Sequence, residues 1–192
     1  MNLKIYIQTI QIHLLQTHTT LLNWFLVDEK LKHYRPKDGG WTILEILEHI
    51  TLTSHFLLIL IDKGANKAIR NVRELSIETV TEEYDFDLEK IHRIGQHKSF
   101  PWIRPEHMEP TGTKSEFAIK EEMLTQINSC LNYLAQLKNG EGLLFKTTMT
   151  VDNLGKLNVY EYLYFLSKHA ERHIQQMEEN KIEFENSFPR KN

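Results

Sequence analysis

The sequence contains one cysteine, Cys130, in 192 residues. A single thiol excludes an intramolecular disulfide and a cysteine-based metal cage. Proline and glycine are scarce as well, at five and eight, so the breaks between elements can be placed one by one. Basic clusters are missing. The formal net charge is -3, and Arg190 and Lys191 in the tail are too few to grip phosphates, which argues against nucleic acid as a partner. The N-terminal stretch Met1–Val27 lacks a continuous apolar core, because Gln8, Gln11, His13, Gln16 and His18 interrupt it. It reads as an amphipathic helix rather than a signal peptide or membrane span, so a cytoplasmic protein without membrane attachment is expected. What remains, 41% hydrophobic and 26% charged residues, is the balance of an ordinary globular domain with one core.

The few breakers divide the chain. Leu3 to about Tyr34 contains neither Gly nor Pro, and Ile7, Ile10, Leu14, Leu21 and Phe25 recur at helical spacing, which predicts a first helix. Pro36, Gly39 and Gly40 end it. A second helix starts with Thr42 as N-cap and Glu45 at the third helical position, a capping box, with Trp41 and Ile46 as the flanking apolar pair. It is expected to run to about Lys63, near Gly64. Residues 65–112 hold Gly95, Pro101, Pro105 and Pro110 and no sustained period. Such a long connection is expected to contain short elements or to serve a function. A third helix is predicted from Ser115 to about Lys138, followed by Asn139-Gly140, and a strand-like run from Phe145 to Val151. The turn Asp152-Asn153-Leu154-Gly155 then leads to a last helix. Asn158 and Glu161 form its capping box, and it should extend to about Lys181. The expected fold is all-α: a four-helix bundle in one domain, residues 1–183, with a long crossover between the second and third helices and a polar tail at 184–192.

Ten histidines are the one compositional oddity. On the last helix Tyr162, Leu166, His169, His173 and Met177 share one otherwise apolar face. Histidines at i and i+4 project side by side, close enough to bind one cation. His49 holds a similar place on the second helix. At about 1.5 Å rise per residue, antiparallel packing brings the three to one depth, whereas parallel packing leaves a gap of roughly 6 to 13 Å. A shared metal would satisfy imidazole nitrogens buried in a bundle. The plainer alternative is three core histidines with other partners. His13 and His18, and His92 and His97, are five apart and do not align on a helix face. His55 lies off the face of His49. His107 sits in the crossover, within reach of a pocket or simply exposed. Glu45 is either an orienting carboxylate for His49 or only the capping residue, and Gln176 faces either the site or the surface. Glu171 points roughly 200° away from the histidine pair, so it is not the base of a zinc-protease motif and reads as a surface charge. Trp24, Trp41 and Trp102 read as packing residues and Cys130 as a buried small hydrophobe.

Two segments carry a family resemblance: Trp41-Thr-Ile-Leu-Glu45-Ile-Leu-Glu-His49-Ile, and Gly155-Lys-Leu-Asn158 through His169-Ala-Glu-Arg-His173-Ile-Gln-Gln176. They resemble the DinB-like superfamily, and most of all its bacillithiol-transferase-like branch. Pro101-Trp-Ile-Arg-Pro105 is similar to the stretch before that branch's third helix. The resemblance spans nearly the whole chain. It implies a four-helix bundle with a long crossover, often a homodimer. It also implies a metal triad of one histidine from the second helix and an H-x3-H pair from the fourth, which here are His49, His169 and His173. One departure is the turn before the fourth helix, where relatives often have a proline and this chain has Asp152-Asn153.

Three neutral imidazoles leave a coordination position open, the arrangement of a catalytic metal. Such a metal lowers the pKa of a bound water or thiol. Together with the thiol-dependent activities that the resemblance implies, the expected function is a metal-dependent thiol S-transferase or hydrolase acting on a small electrophilic molecule, with a low-molecular-weight thiol as the expected second substrate. The alternative is a non-catalytic metal-binding dimeric bundle with a structural or sensing role. Imidazole ligands suit several divalent metals, and Zn, Ni, Fe, Mn and Co are all compatible.

Overall fold

The computed structural model describes residues 2–101 and 105–188. Trp102, Arg190 and Lys191, and the centre of the 101–105 motif, lie outside them. Four long helices form the bundle: α1 (Leu3–Trp24), α3 (Ile43–Asn71), α6 (Glu116–Gln136) and α7 (Val159–Ser187). Three short ones lie between them: α2 (Glu29–Lys32), α4 (Ile77–Glu83) and α5 (Glu89–His92). Strands β1 (Lys146–Met149) and β2 (Gly155–Asn158) pair antiparallel, with Lys146 opposite Asn158 and Met149 opposite Gly155. The fold is all-α, as expected, with the strand-like run serving as a small hairpin that feeds α7.

Helix directions follow from single contacts. Asn180 Nδ2 near the end of α7 donates to Trp41 O just before α3 (2.8 Å), and Gly64 near the end of α3 abuts Val159 at the start of α7. The two helices are therefore antiparallel. Gln126 Nε2 donates to Thr51 O and Tyr133 Oη to Asp62, so α6 runs parallel to α3. Parallel neighbours cannot be joined by a tight turn, which is why the long crossover exists.

The capping boxes at Thr42–Glu45 and Asn158–Glu161 both form with reciprocal bonds. Three boundaries differ from expectation. The first helix stops at Trp24, and Asp28 caps a separate short turn by accepting from Lys30 N. The second helix continues through Gly64 to Asn71. A Cβ at Gly64 would lie 3.4 Å from Val159, so the glycine serves close packing against α7 rather than termination. The last helix passes its expected end near Lys181 and reaches Ser187, because Phe184 packs on the core cluster of Trp24, Ile46 and Met177.

The turn before α7 has a local cause. Asp152 and Asn153 have φ of 46° and 55°. Asp and Asn tolerate this left-handed conformation, whereas proline is locked near −65°. This backbone is closed to proline at either position.

The core has two clusters. One gathers Tyr6, Ile10, Ile61, Leu134, Tyr160 and Phe165, the other Leu21, Trp24, Ile46, Leu47, Met123 and Met177. α3 is the one helix among the described residues long and apolar enough to cross a membrane, but half of that stretch is buried inside the bundle, where it packs on α6 and α7. At the other end of the bundle, Glu161 is 1% exposed and accepts from Tyr84, while Lys90 Nζ lies 2.5 Å from it. Asn158 caps α7 and also donates to Tyr84 (2.8 Å), tying α7 to the crossover. Asn158→Ala removes both roles and should cost about 1–2 kcal/mol. A thermal melt should record a drop of roughly 2–4 °C per kcal/mol; an unchanged melt would mean the cap is dispensable.

Candidate metal centre

α7 is buried without interruption from Val159 to Ala170, and its inner face carries His169 and then His173 one turn later. α3 is buried from Ile46 to Thr51 around His49. Antiparallel packing brings the three to one level. The ring centroids lie 5.2 Å (His49–His169), 4.7 Å (His49–His173) and 4.6 Å (His169–His173) apart. One ligand atom from each falls within 4.8 Å of the others, the one group of three or more His, Cys, Asp or Glu so arranged among the described residues.

Their hydrogen bonds fix which nitrogens face inward. His49 Nδ1 lies 2.7 Å from Met108 O, and a carbonyl only accepts, so Nδ1 carries the proton and Nε2 keeps its lone pair. His173 Nδ1 likewise donates to Gln176 Oε1 at 2.9 Å. His169 Nε2 and His173 Nε2 are 3.2 Å apart. Two nitrogens on one tetrahedral zinc, each at about 2.0–2.1 Å, are separated by roughly 3.3–3.4 Å, so this pair suits a small cation. Three imidazoles, two of them with the outer nitrogen held by an acceptor, are the donor set expected of such a site. Gln176 thus faces the site. Glu45 does not: one oxygen closes the capping box with Thr42 N and the other takes Arg35 (2.6 Å).

His49 and His173 open on a pocket of about 280 Å3 lined also by Gly39, Gly40, Trp41, His97, Arg172 and Gln176, while His169 lies buried outside its lining. Trp41 is more than packing, since its ring lies 4.8 Å from that of His49 and walls the pocket. Arg172 donates to Gln96 O (2.6 Å) and lies over the Phe100 ring, which places a cation at the rim. His97 comes from the crossover. Its backbone N–H donates to Gln175, its Nε2 lies 3.7 Å from Glu179, and its Nδ1 is buried without a hydrogen-bond partner. Sequence spacing gave His97 no role, and nothing in a non-periodic segment would have flagged it. A larger groove, about 780 Å3 between α3 and α6, is lined by Lys63, Lys114, Glu121 and Glu122 and contains none of the triad.

The remaining candidates stand apart. Glu171 pairs with Lys168 (2.7 Å) on the outer face. His107 is exposed and packs on Phe56, away from the pocket. Cys130 is buried in the core, and burial pushes its thiol up to about 12, so it is no nucleophile at neutral pH.

Burial, followed by the neighbouring imidazoles, holds His169 well below the usual histidine range. Burial, then His49, brings His173 down to about 3. Both are neutral at pH 7, as ligands must be. The same depression has a stability cost in acid. Below pH ~6.5 the unfolded chain protonates these rings while the folded one does not, so stability is full above 6.5 and falls on the way down towards 3. The slope is about 1.4 kcal/mol per pH unit for each ring. Urea unfolding of the metal-free protein at pH 7 and 5 should record this loss, and His169→Gln should make the slope shallower. An equal slope in both proteins would contradict the assignment.

Known proteins bear the same outline. The family model for the DinB superfamily matches residues 13–177, a span that contains all three histidines. An uncharacterized protein of Bacillus subtilis (strain 168), YuaE, is 26% identical over 168 residues, covering 83% of this chain and 88% of its own. No solved structure matches. With a family match over most of its length and the bundle that the match implies, the chain belongs to the DinB superfamily.

Proposed function

We propose that the protein is a metal-dependent enzyme that transfers a small thiol to, or hydrolyses, a small electrophilic molecule. The observation that carries this reading is the open side of the triad. The three imidazoles have no fourth His, Cys, Asp or Glu in their group among the described residues, and two of them, His49 and His173, border a pocket of about 280 Å3 of mixed polarity. A structural site would be closed by four protein ligands. The pocket lies near the lower end of small-molecule sites, so the substrate is small.

His49, His169 and His173 would hold the ion, which supplies Lewis acidity and lowers the pKa of a thiol or water. The chain's own groups do the rest. Trp41 and the apolar edge of His49 shield one side from water. Arg172, fixed by Gln96 O and Phe100, offers a cation to an anionic part of the substrate. His97, whose buried Nδ1 has no hydrogen-bond partner, contributes its ring to the pocket wall. The protein supplies no thiol of its own, because Cys130 is buried in the core and remains protonated. A thiol reaction here therefore draws on a thiol that arrives as substrate.

Elemental analysis of the purified protein should find one divalent metal per chain, and His169→Ala should lose it. A screen pairing low-molecular-weight thiols with electrophiles should then detect turnover in the metal-loaded wild type, reduced at least 100-fold in His169→Ala. Metal-free protein that takes up no stoichiometric Zn2+, Ni2+ or Co2+, or a His169→Ala protein that binds as well as wild type, would overturn the reading.

A further inference from the structure

The ring of His49 is oriented by a backbone carbonyl, and a backbone carbonyl is only as well placed as the segment that carries it. Met108 lies in the crossover, 59 residues away in sequence. What fastens that segment to α3 is Glu48, the residue beside His49. Its carboxylate is 2% exposed. One oxygen accepts from Thr111 N (3.1 Å) and Thr111 Oγ1 (2.8 Å), the other from Gly112 N (2.9 Å). Consecutive residues of one helix thus grip the same strand of crossover at two points, His49 at Met108 and Glu48 at Thr111-Gly112.

The strand between the grips is stiff. Pro110 has a fixed φ. A shift of Thr111 is therefore passed along to Met108. Three hydrogen bonds to a buried carboxylate also exceed what anchoring an exposed loop requires, since bonds to charged groups are among the strong ones.

We propose that Glu48 is a positioning residue for the metal centre: by latching Thr111 and Gly112 it holds the Met108 carbonyl where it fixes the proton on His49 Nδ1, leaving Nε2 free for the ion. The inference rests on the triad binding metal, as proposed above. Groups that orient a ligating histidine typically matter 10–100-fold in metal affinity. Linkage makes the effect reciprocal: if a docked crossover tightens metal binding, bound metal tightens crossover docking by the same factor. Glu48 then couples the ion to the segment that also supplies His97 to the pocket wall.

The test compares wild type, Glu48→Gln and Thr111→Val. Zn2+ affinity is measured by chelator competition, and hydrogen exchange is followed at the 108–112 amides with and without Zn2+. Glu48→Gln keeps the shape of the side chain but has one acceptor oxygen, and Gly112 N–H loses its partner. It should bind one Zn2+ per chain 10–100-fold more weakly. The Zn2+-induced protection of Thr111 and Gly112 seen in wild type should be lost. Thr111→Val removes one of the three bonds at an exposed position and should weaken Zn2+ binding about 2–5-fold; it decides the matter if Glu48→Gln does not fold. A purely structural Glu48 would lower the melting temperature of the metal-free protein and leave the Zn2+ affinity of the folded protein at the wild-type value in both variants, which overturns the proposal. A wild type that binds no Zn2+ stoichiometrically overturns the metal reading itself and this inference with it.

Discussion

Everything near the middle of this bundle depends on burying three uncharged imidazoles against one another. An imidazole has two nitrogens, and at this depth each needs a partner. The outer ones are satisfied by Met108 O for His49 and Gln176 Oε1 for His173. The inner ones converge, and the 3.2 Å between His169 and His173 leaves them room for a small cation or a shared proton. That constraint sets helix direction, since only antiparallel α3 and α7 bring His49 level with the pair. It also requires the crossover, because α6 must then run parallel to α3 and because the crossover supplies the carbonyl. Chain path and site chemistry are thus two sides of one packing solution.

The bundle divides its labour along its axis. At the end where α7 begins, Tyr6, Tyr84, Tyr160 and Glu161 form a dense network around the Asn158 cap, with Tyr160 Oη held by Leu137 O and Gly142 N. A Cβ at Gly142 would fall 2.7 Å from the Tyr160 ring, so this end admits no looseness. Towards the other end the same helix exposes charged groups to a pocket. One long helix can do both because its apolar face is continuous and α1 packs along it from Tyr6 beside Tyr160 to Trp24 in the cluster of Met177, while its other neighbours change: the hairpin, Tyr84 and Lys90 at its start, Gln96 and His97 further along.

How much of this was legible beforehand depends on whether the signal was local. The capping boxes at Thr42 and Asn158 are four-residue patterns whose bonds form within the helix turn, and the sequence located both. The pairing of His169 with His173 is set by helical periodicity alone, so it too was legible. His49 needed a guess about helix direction, which the crossover length supplied. Glu48, Met108, His97 and Arg172 were missed for a common reason. Each acts through the crossover, whose path follows from tertiary contacts and not from a period, and Met108 contributes a carbonyl that any residue carries. Gly64 misled in the opposite way: a glycine at a plausible helix end was read as a stop, when its missing side chain serves the approach of α7. Trp41 was read as packing, which is true of its contact with the core but omits the face it turns to His49.

The crossover is therefore more than a tether between parallel helices. It touches both the ligands and the pocket: Met108 orients His49, His97 lines the wall, and Gln96 anchors Arg172. Its earlier part is anchored in the apolar core through Leu88, Ile91 and Ile94, whereas residues 108–112 are held to α3 by polar bonds, from His49 to Met108 O and from Thr111 and Gly112 to Glu48. Segments held by few apolar contacts open at lower free energy than the core. Residues 108–112 can therefore loosen locally without disturbing the helices that carry the histidines or the core residues earlier in the crossover. The arrangement keeps two ligands on a rigid helix and lets the orientation of the third follow the state of a detachable segment.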